Sequence, residues 1–414
     1  MRRRVVVTGM GVVAPGNSNN LENFWGTITS GVSAADIITG FDASKYDSRF
    51  ACEVKNFDPL NYMDKKKARK RDRCTQFAIA ASADALKMAG ISKDNIDFCR
   101  AGVIIGSGIG GISTLEEEIG VLNAKGPSRV SPFVIPMFIL NIICGEVSIE
   151  FGFKGINYAI CSACASGTHA IGIAAHNIRN GFADVVITGG AESAICPIGV
   201  AGFCSLKALS RRNDDPKKAS RPFDKKRDGF VMGEGSGILI LESLEHAQKR
   251  GANIIAEITG YGTAGDAYHI TAPDPDGDGA ARCFVTALED AGLKPEQIDY
   301  INAHGTSTSM NDALETLAIK KVFGDHCSKL KISSIKSTIG HLLGAAGGVE
   351  AIASILAISK GIIPPTINYE EPDEQCDLNY TPNTPCNFTV NTAISDSLGF
   401  GGHNAAVVFS KFND

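Results

Sequence analysis

The chain repeats itself, and a repeat of this length narrows the folds open to it. The segment FAIAASADALKMAGISKDNIDFCRAGVIIGSG, beginning at Phe77, returns in outline as ARCFVTALEDAGLKPEQIDYINAHGTST, beginning at Ala281. Ala85, Leu86, Ala89, Gly90, Ile96 and Asp97 recur at Ala287, Leu288, Ala291, Gly292, Ile298 and Asp299, always 202 residues later. Each copy reads as an amphipathic helix closed by glycine, a short loop and a buried strand. A looser correspondence links INYAICSACASGTHAIGIAAHNI to ISSIKSTIGHLLGAAGG, each a strand, a turn and a helix of small residues. Duplication of this kind predicts two similar α/β units, residues 1–255 and 256–414, packed face to face with a site at their seam. The division falls after the apolar strand ILILES and the helix EHAQKRGA.

Chemistry gathers on the segments that this arrangement brings to the seam. Cys164 stands where a β-branched run gives way to small residues and then a helix. A helix N-terminus carries roughly half a positive charge, which favours thiolate and predicts a lowered pKa and an activated nucleophile. His304, in INAHGTST, follows a strand-like run, and His341 opens an apolar helix. Cysteine and histidines alike occupy loops or element ends, where reactive groups are commonly mounted. Taken singly each could be a satisfied core residue; the three contexts together point to nucleophilic catalysis.

Composition sets limits around that reading. A chain of 414 residues, 44% of them apolar, can bury a large core. A net charge of −5 argues against general attraction to nucleic acid or an anionic membrane. Twelve cysteines lack disulfide-framework or zinc-ligand spacing, and no secretory signal precedes the first strand, so a cytoplasmic protein with free thiols and no metal is expected. The apolar stretch from Gly340 to Ser359 includes Glu350 and several glycines, which suits a buried helix better than a membrane span.

Three further motifs invite other functions. GSGIGG, from Gly106 to Gly111, follows a strand and matches a dinucleotide fingerprint, but no acidic residue follows at about twenty positions, so nucleotide binding is not expected. Cys161 and Cys164 form a CxxC pair, in which Cys161 reads as an extra buried thiol. In MDKKKARKRDR, the residues Lys66, Arg69, Lys70 and Arg73 fall at helical spacing on one face, which alone would be a solvated surface.

With these residues in view, the chain resembles the β-ketoacyl-acyl carrier protein synthases, the elongating type in particular. The resemblance runs from RRRVVVTGMGVVAPGN through SRPFDKKRDGFVMGEGSG to SLGFGGHNAAVVF and rests on SACASG, NAHGTST and KSTIGHLLGAAGGVE. Thiolases pair the nucleophile with a second cysteine, and initiating synthases use Cys, His and Asn; the second histidine discriminates. The resemblance implies a homodimer of the duplicated five-layer α-β-α-β-α thiolase fold, without a cofactor of its own, served by phosphopantetheine on an acyl carrier protein. It implies decarboxylative Claisen condensation of an acyl-enzyme with malonyl thioester, lengthening a fatty acyl chain by two carbons. Cys164, His304 and His341 would be catalytic, and Lys336 would fix His341 and the local field. Backbone N–H groups at Cys164 and Phe400 would hold the oxyanion, and Asp312 and Glu350 would support the histidines. Thr306 and Thr308 resemble the pair that binds pantetheine. Ile109, which must move when a long chain enters, and Phe203 would line the acyl pocket. Lys66, Arg69, Lys70, Arg129 and Lys207 map onto carrier docking positions.

One segment departs from the family. Elongating synthases usually read NSFGFGGTN where this chain reads DSLGFGGHN, so Phe400 with Gly399, Gly401 and Gly402 remains as a hinged gate while Asp396, Leu398 and His403 differ. GTAGDAYHITAPDPDG, with Asp266 and His269, resembles the mobile loop facing it. The departures bear on acyl preference and keep open a specialised ketosynthase making a polyketide or polyunsaturated chain. A noncatalytic chain-length partner would have lost the cysteine present here.

Overall fold

The computed structural model describes residues 2–413. Two runs of elements succeed one another in the same order. The first comprises β1 (Val5–Val13), α1 (Arg73–Ala89), β2 (Ala101–Gly106), α2 (Ile142–Phe151), β3 (Asn157–Ile160), α3 (Ser166–Arg179), β4 (Val185–Glu192) and β5 (Gly235–Ser243). The second comprises β6 (Ala256–Gly265), α4 (Asp278–Ala291), β7 (Tyr300–Asn302), α5 (Ser309–Phe323), β8 (Lys331–Ser333), α6 (Ala346–Lys360), β9 (Thr392–Gly399) and β10 (His403–Ser410). Ten strands hydrogen-bond in the order β8-β7-β9-β10-β6-β1-β5-β4-β2-β3, a series symmetric about its centre. β2 runs parallel to β3 and β4, as β7 does to β8 and β9, and the remaining pairs are antiparallel. The halves join where Val5, Val6 and Val7 pair with Ile258, Glu257 and Ala256.

The halves of the sheet lie on opposite sides of α3 and α6. α3 touches β2, β4 and β10, while α6 touches β4, β5 and β9. α1 and α2 cover the outer face of the first half, α4 and α5 that of the second, completing five layers. The sequence repeat is a packing repeat. A Cβ on Gly9 or Gly11 of β1 would stand 2.1 Å from the Ala85 carbonyl oxygen or 1.9 Å from that of Ala81. On Gly260 or Gly262 of β6 it would stand 2.3 Å from that of Ala287 or 2.1 Å from that of Cys283. Each half thus seats its first helix on bare backbone. α1 and α4 end alike, on Gly90 and Gly292 with φ of 65° in both.

The long apolar stretch is a core helix, as its glycines suggest. Every residue of α6 from Ala346 to Ile358 is buried. Each large aliphatic side chain enclosed there contributes roughly 1.5–3 kcal/mol relative to exposure. Close approach sets the geometry of the seam: a Cβ on Gly348 would meet the Gly237 carbonyl oxygen at 2.2 Å, and one on Gly347 would meet Thr168 Oγ1 at 2.1 Å. The N-terminal ends of α3 and α6 are thereby brought together.

Candidate active site

The candidate groups occupy turns at the carboxyl ends of parallel strands from both halves, the usual place for chemistry in an α/β sheet. Cys164 lies between β3 and α3, where Ala163 is forced to a φ of 50°. A non-glycine residue held there costs roughly 1–3 kcal/mol and needs support. Ser166 gives it, its Oγ donating to the Ala163 carbonyl at 2.6 Å and accepting the Ser162 N–H at 2.9 Å. The equivalent turn ahead of α6 carries His341 and bends at Leu343, with φ of 49°. Nucleophile and histidine therefore sit on corresponding turns of the two copies but at different steps of them: Ala163 matches Leu343 and Ser166 matches Ala346, which sets Cys164 opposite Gly344.

Cys164 Sγ and a ring nitrogen from each of His304 and His341 lie within 4.8 Å of one another. The imidazoles meet edge to face, 5.2 Å between centroids. They stand at the base of a cavity of about 270 Å³ that is also lined by Phe203, Lys207, Thr306, Thr308, Leu398 and Phe400. The Phe400 N–H favours the charged form of the thiol. Lys336, 1% exposed, is ion-paired with Glu350, donates to the His304 carbonyl oxygen at 2.6 Å and lies 3.4 Å from His304 Nδ1. Lys336 therefore holds His304 rather than His341, which corrects the sequence expectation: the chain turns at Gly340 and carries His341 away from the ammonium group. Asp312 accepts the N–H of Thr306 at 3.1 Å and of Phe223 at 2.8 Å, fixing the loop whose Thr306 and Thr308 hydroxyls are 3.0 Å apart.

Burial dominates the electrostatics. The Cys164 thiol is pushed up to about 12, opposed by Lys336 and the Phe400 N–H. Desolvation thus works against the lowering anticipated from the helix end. Both histidines are held well below their usual range, His304 by burial, Lys336 and His341, and His341 by burial and Lys336. The site is thus a neutral thiol beside two neutral imidazoles. Each imidazole can donate one hydrogen bond to a developing oxyanion or accept one proton.

Other expectations meet the structure unevenly. Ile109 and Phe203 pack with Cys164 in one apolar cluster. Gly401 and Gly402 have φ of 87° and 72°, and Gly401 donates to the Ile270 carbonyl at 2.8 Å, tying the gate turn to the facing loop. Asp266 joins that link by accepting from Asn404 Nδ2 at 2.6 Å. Leu398 lines the cavity, whereas His403 is exposed and points away from it, because Gly402 and Asn404 take the inward positions. The basic run is not one helical face. A single turn, Lys65–Ala68, ends before Asp72 caps α1, and Arg73 turns inward to Glu234 at 2.9 Å and over Phe77. Lys66, Arg69, Lys70, Arg129 and Lys207 are all exposed. Cys161 is exposed rather than buried, since it ends the outermost strand, and all twelve cysteines are free.

Two carboxylates that sequence reasoning passed over prove central. Glu315 accepts the N–H of His304 at 2.7 Å and of Gly305 at 2.8 Å. Its place one turn after Asp312 on α5 was a readable signal. Glu192, at the end of β4, accepts the N–H groups of Gly108 and Ile109, so the loop that mimics a dinucleotide fingerprint is filled by an internal anion. Asp396 abuts Glu315; burial and that neighbour hold it protonated, well above the ordinary carboxylate range.

A duplicated thiolase-like fold with cysteine and two histidines at its seam defines an acyl-transferring condensing enzyme. The family model for the β-ketoacyl synthase N-terminal domain matches residues 2–247, and that for the C-terminal domain matches residues 255–370. The 3-oxoacyl-[acyl-carrier-protein] synthase 2 of Synechocystis sp. is 51% identical over 411 residues, 99% of each chain. That of Coxiella burnetii is 49% identical over 413 residues, covering 100% of both. A crystal structure of a β-ketoacyl synthase from Burkholderia phymatum superposes with a TM-score of 0.92 at 36% identity, covering 99% of this chain and 100% of that one. A ketosynthase solved with its type II polyketide acyl-carrier protein and bound to a hexaketide gives 0.92 at 37% identity, covering 100% of both. The chain belongs to the β-ketoacyl synthase family.

Proposed function

We propose that this enzyme elongates fatty acyl chains by decarboxylative condensation on acyl carrier protein. The observation that carries the reading is the convergence of Cys164, His304 and His341, with both imidazoles neutral, at the base of one cavity. Cys164 sulfur attacks the carrier-bound thioester, with its proton passing by way of an adjacent imidazole to the departing pantetheine thiolate. The N–H groups of Cys164 and Phe400 meet the tetrahedral oxyanion, each such donor contributing about 2.7–4 kcal/mol. Malonyl thioester then loses carbon dioxide. The electron pair of the broken C–C bond passes into an enolate whose oxygen accepts hydrogen bonds from His304 and His341. The enolate carbon attacks the acyl carbonyl, the C–S bond to Cys164 breaks, and the thiolate regains a proton. No cofactor of the enzyme's own enters these steps, and the ammonium of Lys336 beside His304 disfavours a metal cation between the imidazoles.

Thr306 and Thr308 line the approach of the pantetheine arm, with Phe400 and its glycines as gate. Lys66, Arg69, Lys70, Arg129 and Lys207 form the docking surface; among the described residues none of the five is in a salt bridge, although Lys70 lies over the Phe133 ring at 4.2 Å, so their charges are available to an acidic carrier. A homodimer is supported by the open outer edge of β3 and the apolar surface beside it, including Tyr158, Ile135 and Ile149, the last 75% exposed. Residues 1–255 then supply the nucleophile and dimer face, residues 256–414 the histidines and gate, in a cytoplasmic enzyme. Leu398, lining the cavity, bears on which acyl group is taken and not on the reaction. Intact-mass analysis after incubation with acyl carrier should show one acyl group on Cys164, and added malonyl carrier should release carbon dioxide and a product two carbons longer. Acylation at another residue, or product formation by Cys164→Ala, would overturn the assignment.

A further inference from the structure

Glu192 is wholly buried at the end of β4, with both oxygens engaged by segments far apart in sequence. Oε1 accepts Ser107 Oγ–H at 2.9 Å and the Ile109 N–H at 3.2 Å; Oε2 accepts the Gly108 N–H at 2.7 Å and the Gly344 N–H at 3.0 Å. Gly344 belongs to the turn that carries His341. The fit is close, since a Cβ on Gly344 would stand 2.3 Å from the Gly108 nitrogen and 2.6 Å from Glu192 Oε2. Ile109 belongs with Cys164, Phe203 and Leu343 to one apolar cluster, yet it does not line the open cavity, which Phe203 and Leu343 do. A chain growing from Cys164 Sγ beyond the cavity must therefore displace Ile109, whose backbone is anchored through Glu192.

We propose that Glu192 is a positioning residue that sets acyl chain length: its carboxylate clasps the Ile109 segment to the turn behind His341, and the clasp must yield before a long chain can pass. The inference rests on Ile109 and Phe203 being the wall of the acyl pocket. An ionised carboxylate satisfies all four donors at once, whereas an amide cannot. In Glu192→Gln the amide oxygen can serve Gly108 and Gly344, and Ser107 can rotate to accept from the amide nitrogen, but the Ile109 N–H then faces another donor. The substitution should loosen the wall at Ile109 while keeping its shape.

The test compares acyl loading of Cys164 from long-chain and short-chain acyl carriers as kcat/KM. Glu192→Gln should raise the long-to-short ratio by about fivefold, the effect of one lost hydrogen bond. Ser107→Ala, which removes the hydroxyl donor to Glu192 and the acceptor of the Gly110 N–H at 3.1 Å but leaves the three backbone N–H groups on the carboxylate, should move the ratio in the same sense by less, and carries the test should Glu192→Gln fail to fold. In an Ile109→Ala background the Glu192 substitution should no longer move the ratio. A uniform loss at every chain length, or a shift that persists without the Ile109 side chain, would overturn the role of Glu192 alone. An unchanged ratio in Ile109→Ala itself would overturn the pocket wall and this inference with it.

Discussion

At the scale of single residues, the resting thiol is the point where physical terms compete most openly. Burial raises it to about 12 while Lys336 and the Phe400 N–H pull it down. Inactivation by iodoacetamide should therefore keep rising with pH through the alkaline range instead of levelling near neutrality, since only thiolate reacts. A plateau close to pH 7 would mean that the helix end and Lys336 prevail. Asp396 gives a second test. Kept protonated against Glu315, it is nearly isosteric with the asparagine usual in the family, so the departure preserves shape. Because its pKa is raised on folding, the native state binds a proton that the unfolded chain has released, and stability falls as pH rises above the unfolded value of about 4. Asp396→Asn should stabilise the protein at neutral pH by roughly 1–3 kcal/mol, with the advantage shrinking toward pH 4 in thermal melts; a melting curve that tracks wild type at every pH would refute it. Cys164, His304, His341 and Lys336 were legible because each sits in an unusual local run. Glu315 left a signal in its place one turn after Asp312, but Glu192 was not legible, since a carboxylate facing backbone N–H groups 83 to 152 residues away leaves no local pattern beyond its polarity.

At the scale of elements, the register of α6 against β5 decides where His341 stands. Gly348→Ala should destabilise by roughly 1–3 kcal/mol through overpacking, although alanine is the better helix former, because its methyl meets the Gly237 carbonyl oxygen at 2.2 Å, a backbone atom that cannot step aside. Gly26, in the helix Leu21–Thr29, has nothing within 4 Å of an added Cβ, and Gly26→Ala should stabilise by up to about 1 kcal/mol. Chemical denaturation of both variants checks the contrast; equal effects would mean that close approach is not what the glycine serves. The amphipathic helices, their glycine caps and the buried strands could be read from periodicity. The break after Ala68 was missed because the charge spacing continues across it, though Asp64 and Asp72 were both placed to cap helices, and each does so.

At the scale of the whole molecule, the proposed docking residues Lys66 and Arg69 lie outside the lining of the catalytic cavity, so docking and chemistry should separate kinetically. Reversing Lys66 and Arg69 to glutamate should raise KM for carrier-linked substrate and weaken its salt dependence, leaving small pantetheine thioesters little affected. Equal damage to both substrates would locate those residues in folding instead. The duplicated architecture was readable from one constant spacing, whereas the closure of both halves into a single hydrogen-bonded series was not, because the β1 and β6 pairing involves only three residues of each strand. That pairing is antiparallel and lies midway along a strand order that reads alike from either end. It marks an approximate twofold axis, and the turns bearing Cys164 and His341 are related by it. Within those turns the left-handed residues Ala163 and Leu343 correspond, so the axis matches Cys164 with Gly344 and His341 with Cys161. Each copy mounts its reactive group at a different step of the same turn, so that the polarity of the reaction, with the acyl group held on one side and charge received on the other, is a broken symmetry of the chain itself.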